Sequence, residues 1–218
     1  MRLTFINGSP RGVKSNTGIL MGHFLRGFFE KDGNVCDVEY LVKHRKDPGV
    51  LVDIYKKSEF VIIGFPLYVD GMPGSVKQFF EHLAPLVGRE GNPALGFVIQ
   101  CGFPETHHTR FVEKYVAKLA KRLNCRYLGA ILKGGCEGLA IQPPFLTEKY
   151  YEYFYQLGRA FGLEGAFDAT LCAKLARPEH LSRENLEQVI PFVNSALWDM
   201  LLEQNGAKDK SFDRPYQS

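Results

Sequence analysis

Apolar residues recur along the first 163 positions in two alternating rhythms. Short β-type runs lie at 2–6, 35–41, 60–64, 95–100 and 127–132. Between them the apolar positions repeat every three and four residues, the period of a helix with one buried face. Residues 17–31 carry Leu20, Phe24 and Phe28 four apart, and 48–57 carry Val50, Leu51 and Ile54. In 73–87, Val76, Phe79, Phe80 and Leu83 fall at i, i+3, i+4 and i+7, with Pro73 suited to a first turn. Residues 110–123 align Val112, Val116, Leu119 and Leu123, and 146–161 form an aromatic-rich helix. The run at 60–64 is continuously apolar, as expected of a strand buried on both faces. Five strands alternating with five helices predict an α/β fold, a parallel sheet covered on both faces and joined by right-handed crossovers.

Beyond Gly162 the alternation stops. Residues 183–202 read as one more helix, which Pro191 should kink or divide, because proline lacks the N–H and crowds the preceding turn. The last dozen residues are polar and are expected to be loose. Residues 164–218 hold too little apolar material for their own core. The chain therefore reads as one domain over 1–163 and a C-terminal helical extension over 164–218, packed on that domain or on a partner subunit.

The first strand runs into Gly8-Ser-Pro-Arg11 and then Ser15-Asn-Thr17, which opens a helix. Such a junction suits a phosphate, since helix N-terminal N–H groups and short hydroxyls converge where the helix adds partial positive charge. Ser9, Ser15, Asn16 and Thr17 are short donors, and Arg11 neutralises charge with a forked donor set. Neither a Walker loop nor a G-x-G-x-x-G dinucleotide fingerprint is present. An N-capped helix after a surface loop accounts for the same residues.

Ligands of open parallel sheets sit beyond the carboxyl ends of the strands, at the switch in strand order. The loop after the third strand, 65–74, mixes Tyr68 with Pro66, Pro73, Gly71 and Gly74, stiff residues beside glycines that let backbone approach a flat ligand. The loop after the fourth strand holds Gln100, Cys101, Gly102 and Glu105, whose polar members suit a ligand's edge. Ordinary turn chemistry explains each loop alone. Three such loops at one sheet edge point to a ligand site.

Composition narrows the class. The 218 residues are 45% hydrophobic with net charge +3 and both signs mixed, so no nucleic-acid stripe and no nucleic-acid partner is expected. No run approaches the ~20 apolar residues of a membrane span, and the N-terminus has no signal-type stretch. Five scattered cysteines without a C-x-x-C pair argue against disulfides or a zinc site and suit a reduced, cytoplasmic protein.

The chain resembles the flavodoxin-like NADPH-dependent FMN reductases. The resemblance rests on Gly8-Ser-Pro-Arg11 followed by Ser15-Asn-Thr17, and on Pro66-Leu-Tyr68 followed by Met72-Pro-Gly74 and Lys77. It covers roughly residues 1–163 and implies a flavodoxin-like three-layer sandwich with a five-stranded parallel sheet. It assigns the FMN phosphate to Ser9, Arg11, Ser15, Asn16 and Thr17. It assigns the isoalloxazine ring to Pro66, Leu67, Tyr68, Val69, Asp70, Gly71 and Met72, flanked by Gln100, Cys101 and Gly102. It also implies a homodimer. The iron–sulfur members of the superfamily carry a cysteine cluster between the first and third strands. Here only Cys36 lies there, so no cluster is expected.

The implied activity is an NAD(P)H-dependent oxidoreductase that passes electrons from NADPH or NADH through FMN to a small acceptor: a quinone, flavin, azo compound or metal ion. Position and electrostatics are the protein's share of flavin chemistry, so no catalytic side chain is nominated. A flavodoxin-type carrier, or an FMN-binding protein without NAD(P)H turnover, is the alternative. Cys101 reads as a packed or redox-active thiol, and His107-His108 as an exposed helix start or a substrate contact. The Tyr150–Tyr155 stretch reads as a core face, an interface or a pocket wall. Gly134–Gly138 reads as a cofactor or subunit cover or a flexible turn, and Trp198 as an anchor for the last helix.

Overall fold

A computed structural model describes residues 1–214 and 216, with Ala196 and Leu197 by their backbone alone. Strands β1 (Arg2–Asn7), β2 (Val35–Tyr40), β3 (Phe60–Pro66), β4 (Ala94–Gln100) and β5 (Tyr127–Lys133) form one sheet in the order β2-β1-β3-β4-β5. Every pairing is parallel. The chain moves from β1 outward to β2, then returns past β1 to build β3 to β5. The switch therefore lies between β1 and β3, where doubly wound sheets hold their ligands. Central β3 and β4 are buried almost throughout. Edge strand β2 is largely exposed and carries Asp37 and Glu39, which blunt a free edge.

Helices α1 (Asn16–Phe28) and α5 (Pro144–Glu164) cover one face, and α2 (Pro48–Lys57), α3 (Gly74–His82) and α4 (Arg110–Arg122) the other. On the first face Phe24, Phe28, Phe154 and Phe161 pack on Phe5, Ile62 and Val98. On the second, Tyr55, Phe79, Phe80 and Val116 pack on Ile63, Phe65 and Phe97. Period-2 and period-3.6 apolar patterns thus meet as two dry layers on either side of the sheet. The architecture is the expected α/β sandwich.

Boundaries differ where local chemistry ends an element. The helix expected over 73–87 stops at His82 and passes into a 3-10 turn at Ala84–Leu86. Pro85 has no N–H to continue the ladder and disfavours helical geometry in the residue before it. A helix not anticipated, α6 (Ala169–Leu175), follows α5 and packs on it and on β5. Asp168 caps it by accepting from Leu171 N at 2.8 Å. The helix expected over 183–202 is divided into α7 (Arg183–Val193) and α8 (Met200–Gln204), with a π-helical stretch at Asn194–Asp199 just past Pro191.

The contacts divide the chain into two compact units, Met1–Glu179 and His180–Ser218. The first holds both core layers and α6. Among described residues of the second, no side chain is fully buried, and Trp198 is half-exposed. The expected loose tail falls partly on residues 215, 217 and 218, which lie outside the described residues. Its described part contains a 3-10 turn at Lys208–Lys210. Among the described residues no helix is long and apolar enough to cross a membrane.

Candidate functional site

The junction between β1 and α1 is organised by Asn7, which is fully buried. Its Oδ1 accepts from Ser9 N at 3.0 Å, and its Nδ2 donates to Ser15 Oγ at 3.1 Å. Ser15 caps α1, its Oγ accepting from Gly18 N at 3.1 Å. The amides of Asn16 and Thr17 begin the helix and have no acceptor within it. That combination of open amides, hydroxyls and the positive helix end is a donor set for an anion. Gly8 donates to Gly64 O at 2.7 Å, and a Cβ at Gly8 would lie 2.5 Å from Val76 Cγ2. Only glycine lets the loop cross β3 this closely.

The second and third loops are pinned together at the same edge. Leu67 N donates to Gln100 O at 2.8 Å, extending the β3–β4 ladder. Tyr68 and Gly71 exchange backbone hydrogen bonds at 2.8 and 3.1 Å, closing a tight turn. Val69 and Asp70 at its tip have φ of 49° and 56°. Left-handed backbone at a β-branched valine is strained, and such strain persists only where neighbours hold it. One holder is the contact between Asp70 Oδ1 and His108 Nδ1 at 3.0 Å. The His108 ring stacks on Phe103, centroids 4.5 Å apart.

One open cleft, with about 380 Å³ of unfilled space including its mouth, joins the three loops. Ser9, Arg11 and Asn16 line it from the first, Pro66, Leu67 and Tyr68 from the second, and Gln100 and Gly102 from the third. Ser15 and Thr17 lie beneath, both buried, with Thr17 Oγ1 3.5 Å from Gln100 Nε2. Val69 and Asp70 sit on the exposed turn, and Gly71 and Met72 are half-buried behind it. The Cys101 thiol is buried, 3.4 Å from Phe103 O, and burial pushes it up to about 11. Burial likewise pushes the Cys136 thiol up to about 12. Thiols held so far above neutrality are poor nucleophiles, so packing is the role that suits Cys101.

Two further residues belong to the site, Asn7, which the sequence did not single out, and Glu137, which it placed only within the Gly134–Gly138 segment. Asn7 was in plain view at the end of the first strand, but its work is directed inward. Glu137 lines the cleft from the loop after β5. The signal for it was the glycine-rich Gly134–Gly138 segment leaving the same sheet edge. The segment packs closely at its start, where a Cβ at Gly134 would lie 2.6 Å from Pro104 O. The Asn16 side-chain amide donates to Cys136 O, tying this fourth loop to the start of α1.

No family model matches the chain, and no curated protein matches it. Solved structures do. A flavone reductase aligns over 75% of this chain at 15% identity with a TM-score of 0.59, and the chain spans 64% of that protein's length. An NAD(P)H:quinone oxidoreductase from Methanothermobacter marburgensis aligns over 74% of this chain and 96% of its own, at 14% identity and a TM-score of 0.59. An NADH:FMN oxidoreductase aligns over 85% of this chain and 98% of its own, at 16% identity and a TM-score of 0.55. The chain therefore has the flavodoxin-like α/β fold, which it shares with these three proteins.

Proposed function

We propose that the chain binds FMN in this cleft and is an NAD(P)H-dependent oxidoreductase, passing electrons from a nicotinamide donor to a small acceptor such as a quinone, flavin, azo compound or metal ion. The observation that carries the reading is the meeting of an anion-ready helix start with the loops of β3 and β4 in one cleft at the switch point of the sheet. The names of the structural neighbours, a flavone reductase, a quinone oxidoreductase and an FMN oxidoreductase, support it.

Each group has a task in this reading. Ser9, Arg11 and Asn16, with the amides that open α1, hold the phosphate. Ser15 and Thr17 fix the geometry from below. Pro66 and Leu67 form a stiff wall, half-exposed Tyr68 offers a stacking face, and Gln100 offers its amide to the ring edge. Gly102 keeps the opposite side shallow, where an added Cβ would lie 3.2 Å from Glu137 Oε2. Bound FMN supplies the hydride-accepting and electron-relaying chemistry, and the chain supplies binding, orientation and exclusion of water. No side chain is asked to donate or remove a proton. A homodimer, a cytoplasmic location and a working core over 1–163 with 164–218 appended complete the proposal.

The test is the visible spectrum of protein incubated with FMN and desalted, then exposed to NADPH or NADH without oxygen. Retained flavin absorbance that bleaches with the nucleotide supports the reading. Retained absorbance that neither nucleotide bleaches makes the chain a carrier or FMN-binding protein. No retained flavin and no turnover with added FMN overturns the reading altogether.

A further inference from the structure

Glu105, His107 and His108 follow β4 and place one donor atom each within 4.8 Å of one another. Both histidines lie in the 3-10 turn Thr106–Thr109. The Nδ1 atom of each ring lies beside an oxygen. His107 Nδ1 lies 3.2 Å from the backbone oxygen of Glu179, and His108 Nδ1 lies 3.0 Å from Asp70 Oδ1. A carbonyl and a carboxylate only accept, so each neutral ring carries its proton on Nδ1 and its lone pair on Nε2. A hydrogen bond of this kind, from the second ring nitrogen to a carbonyl or carboxylate, is what metal-bound imidazoles nearly always make.

The turn is also braced. Thr106 N donates to Pro178 O at 2.9 Å and His107 N to Glu179 O at 3.2 Å. The Glu179 carboxylate is gripped by Arg110 at 2.6 to 3.2 Å, which fixes the segment that supplies the His107 acceptor. The His107 and His108 ring centroids lie 4.0 Å apart.

We propose that Glu105, His107 and His108 form a binding site for a divalent transition metal of the zinc class, with Asp70 and the Glu179 carbonyl as its outer hydrogen-bond partners. Two imidazoles and a carboxylate match the preferences of zinc and cobalt and leave a fourth position for water. Tetrahedral bonds of about 2.1 Å set ligand atoms about 3.4 Å apart, a small side-chain adjustment from the present spread within 4.8 Å. The metal would lock His108 to Asp70 and thereby the turn that continues the Pro66–Tyr68 wall of the cleft. The site stands whether or not the cleft takes FMN.

The experiment uses the full chain without an affinity tag, stripped with a chelator, exchanged into clean buffer and titrated with CoCl2, then with ZnCl2. The expected result is about one equivalent of Co2+ with visible ligand-field bands, displaced by about one equivalent of Zn2+. At about a hundredfold excess over Kd, Zn2+ raises Tm by about 5 °C. His107→Ala and Glu105→Gln each weaken binding at least about tenfold, and Asp70→Asn, which keeps all three ligands, weakens it about 10- to 100-fold. Circular dichroism of each variant confirms the fold. Absence of stoichiometric Co2+ binding to the native chain overturns the proposal. So does binding that survives within about threefold in a folded His107→Ala/His108→Ala variant.

Discussion

The side-chain amide of Asn7 donates to Ser15 Oγ across the base of the first loop, at 3.1 Å, while its carbonyl oxygen accepts from Ser9 N. One buried asparagine thus sets both the exit from β1 and the entry to α1. Removing it leaves a buried backbone donor at Ser9 without that partner, at a cost of about 1–3 kcal/mol. Asn7→Ala is therefore expected to lower the unfolding free energy by about 2 kcal/mol in urea and to weaken FMN binding. Asn7→Asp keeps the acceptor for Ser9 and puts negative charge beside the helix start. It should cost less stability than Asn7→Ala yet impair FMN binding more. Equal stability for Asn7→Ala and native protein would remove Asn7 as the organiser.

Arg11 lines the cleft and is exposed, so its contribution to the fold is small while its charge faces the solvent path of an anion. Arg11→Ala is expected to lower FMN affinity about tenfold, the weight of one charge-assisted hydrogen bond, and to leave riboflavin affinity within about twofold. Fluorescence titration with the two flavins measures the difference. Equal loss for both would show that Arg11 does not read the phosphate.

Helices α1 and α5 meet backbone to backbone. A Cβ at Gly158 would sit 1.8 Å from Phe24 O, and one at Gly27 would sit 2.0 Å from Tyr155 O. Gly158→Ala must push the helices apart, and the loss of packing should exceed the gain in helix propensity, for a net cost of about 1–3 kcal/mol. Gly22 in α1 provides the contrast, because nothing lies within 4 Å of its missing Cβ. Gly22→Ala should stabilise the protein by up to about 1 kcal/mol. Denaturant midpoints of the two variants should move in opposite directions. Movement in the same direction would contradict the packing described.

The layers of the fold were legible because their signals are local. Leu20, Phe24 and Phe28 recur every four residues and all three are fully buried, and Val76, Phe79, Phe80 and Leu83 behave alike. The strand order β2-β1-β3-β4-β5 is set by crossover packing rather than by periodicity, so the sequence did not show it. The helix α6 was missed because its seven residues contain only one fully buried side chain, Leu175, too little for a period to show. The cleft's first three loops were legible from glycine, proline and hydroxyl content. Glu137 was legible only as part of Gly134–Gly138, read as a cofactor or subunit cover or a flexible turn, because glycine content says nothing about which side chain reaches the cleft. The proposed metal site was not legible: His107-His108 read as an exposed helix start or a substrate contact, since the placement of their Nδ1 atoms depends on Asp70 and Glu179, 38 and 72 positions away.

The buried thiols should make the fold sensitive to alkaline pH. Burial pushes Cys101 up to about 11 and Cys136 up to about 12, whereas an unfolded thiol ionises near about 8.5. Below about pH 8 both states keep these protons and stability is independent of them. Above about pH 9 the unfolded chain releases protons that the folded chain retains, so unfolding is favoured increasingly as pH rises toward the folded values. Each of the two thiols then removes about 1.4 kcal/mol of stability per pH unit. Burial displaces Cys36 and Cys172 in the same direction. The urea midpoint is therefore expected to be level from about pH 7 to 8 and to fall steadily from about pH 9 to 11. Cys136→Ala should flatten that fall while lowering stability at neutral pH through the cavity it leaves. Iodoacetamide near pH 8 should spare Cys101 and Cys136 in the native protein and label both in urea. Rapid native labelling of Cys101 would place its thiol in the cleft and reopen a redox role for it.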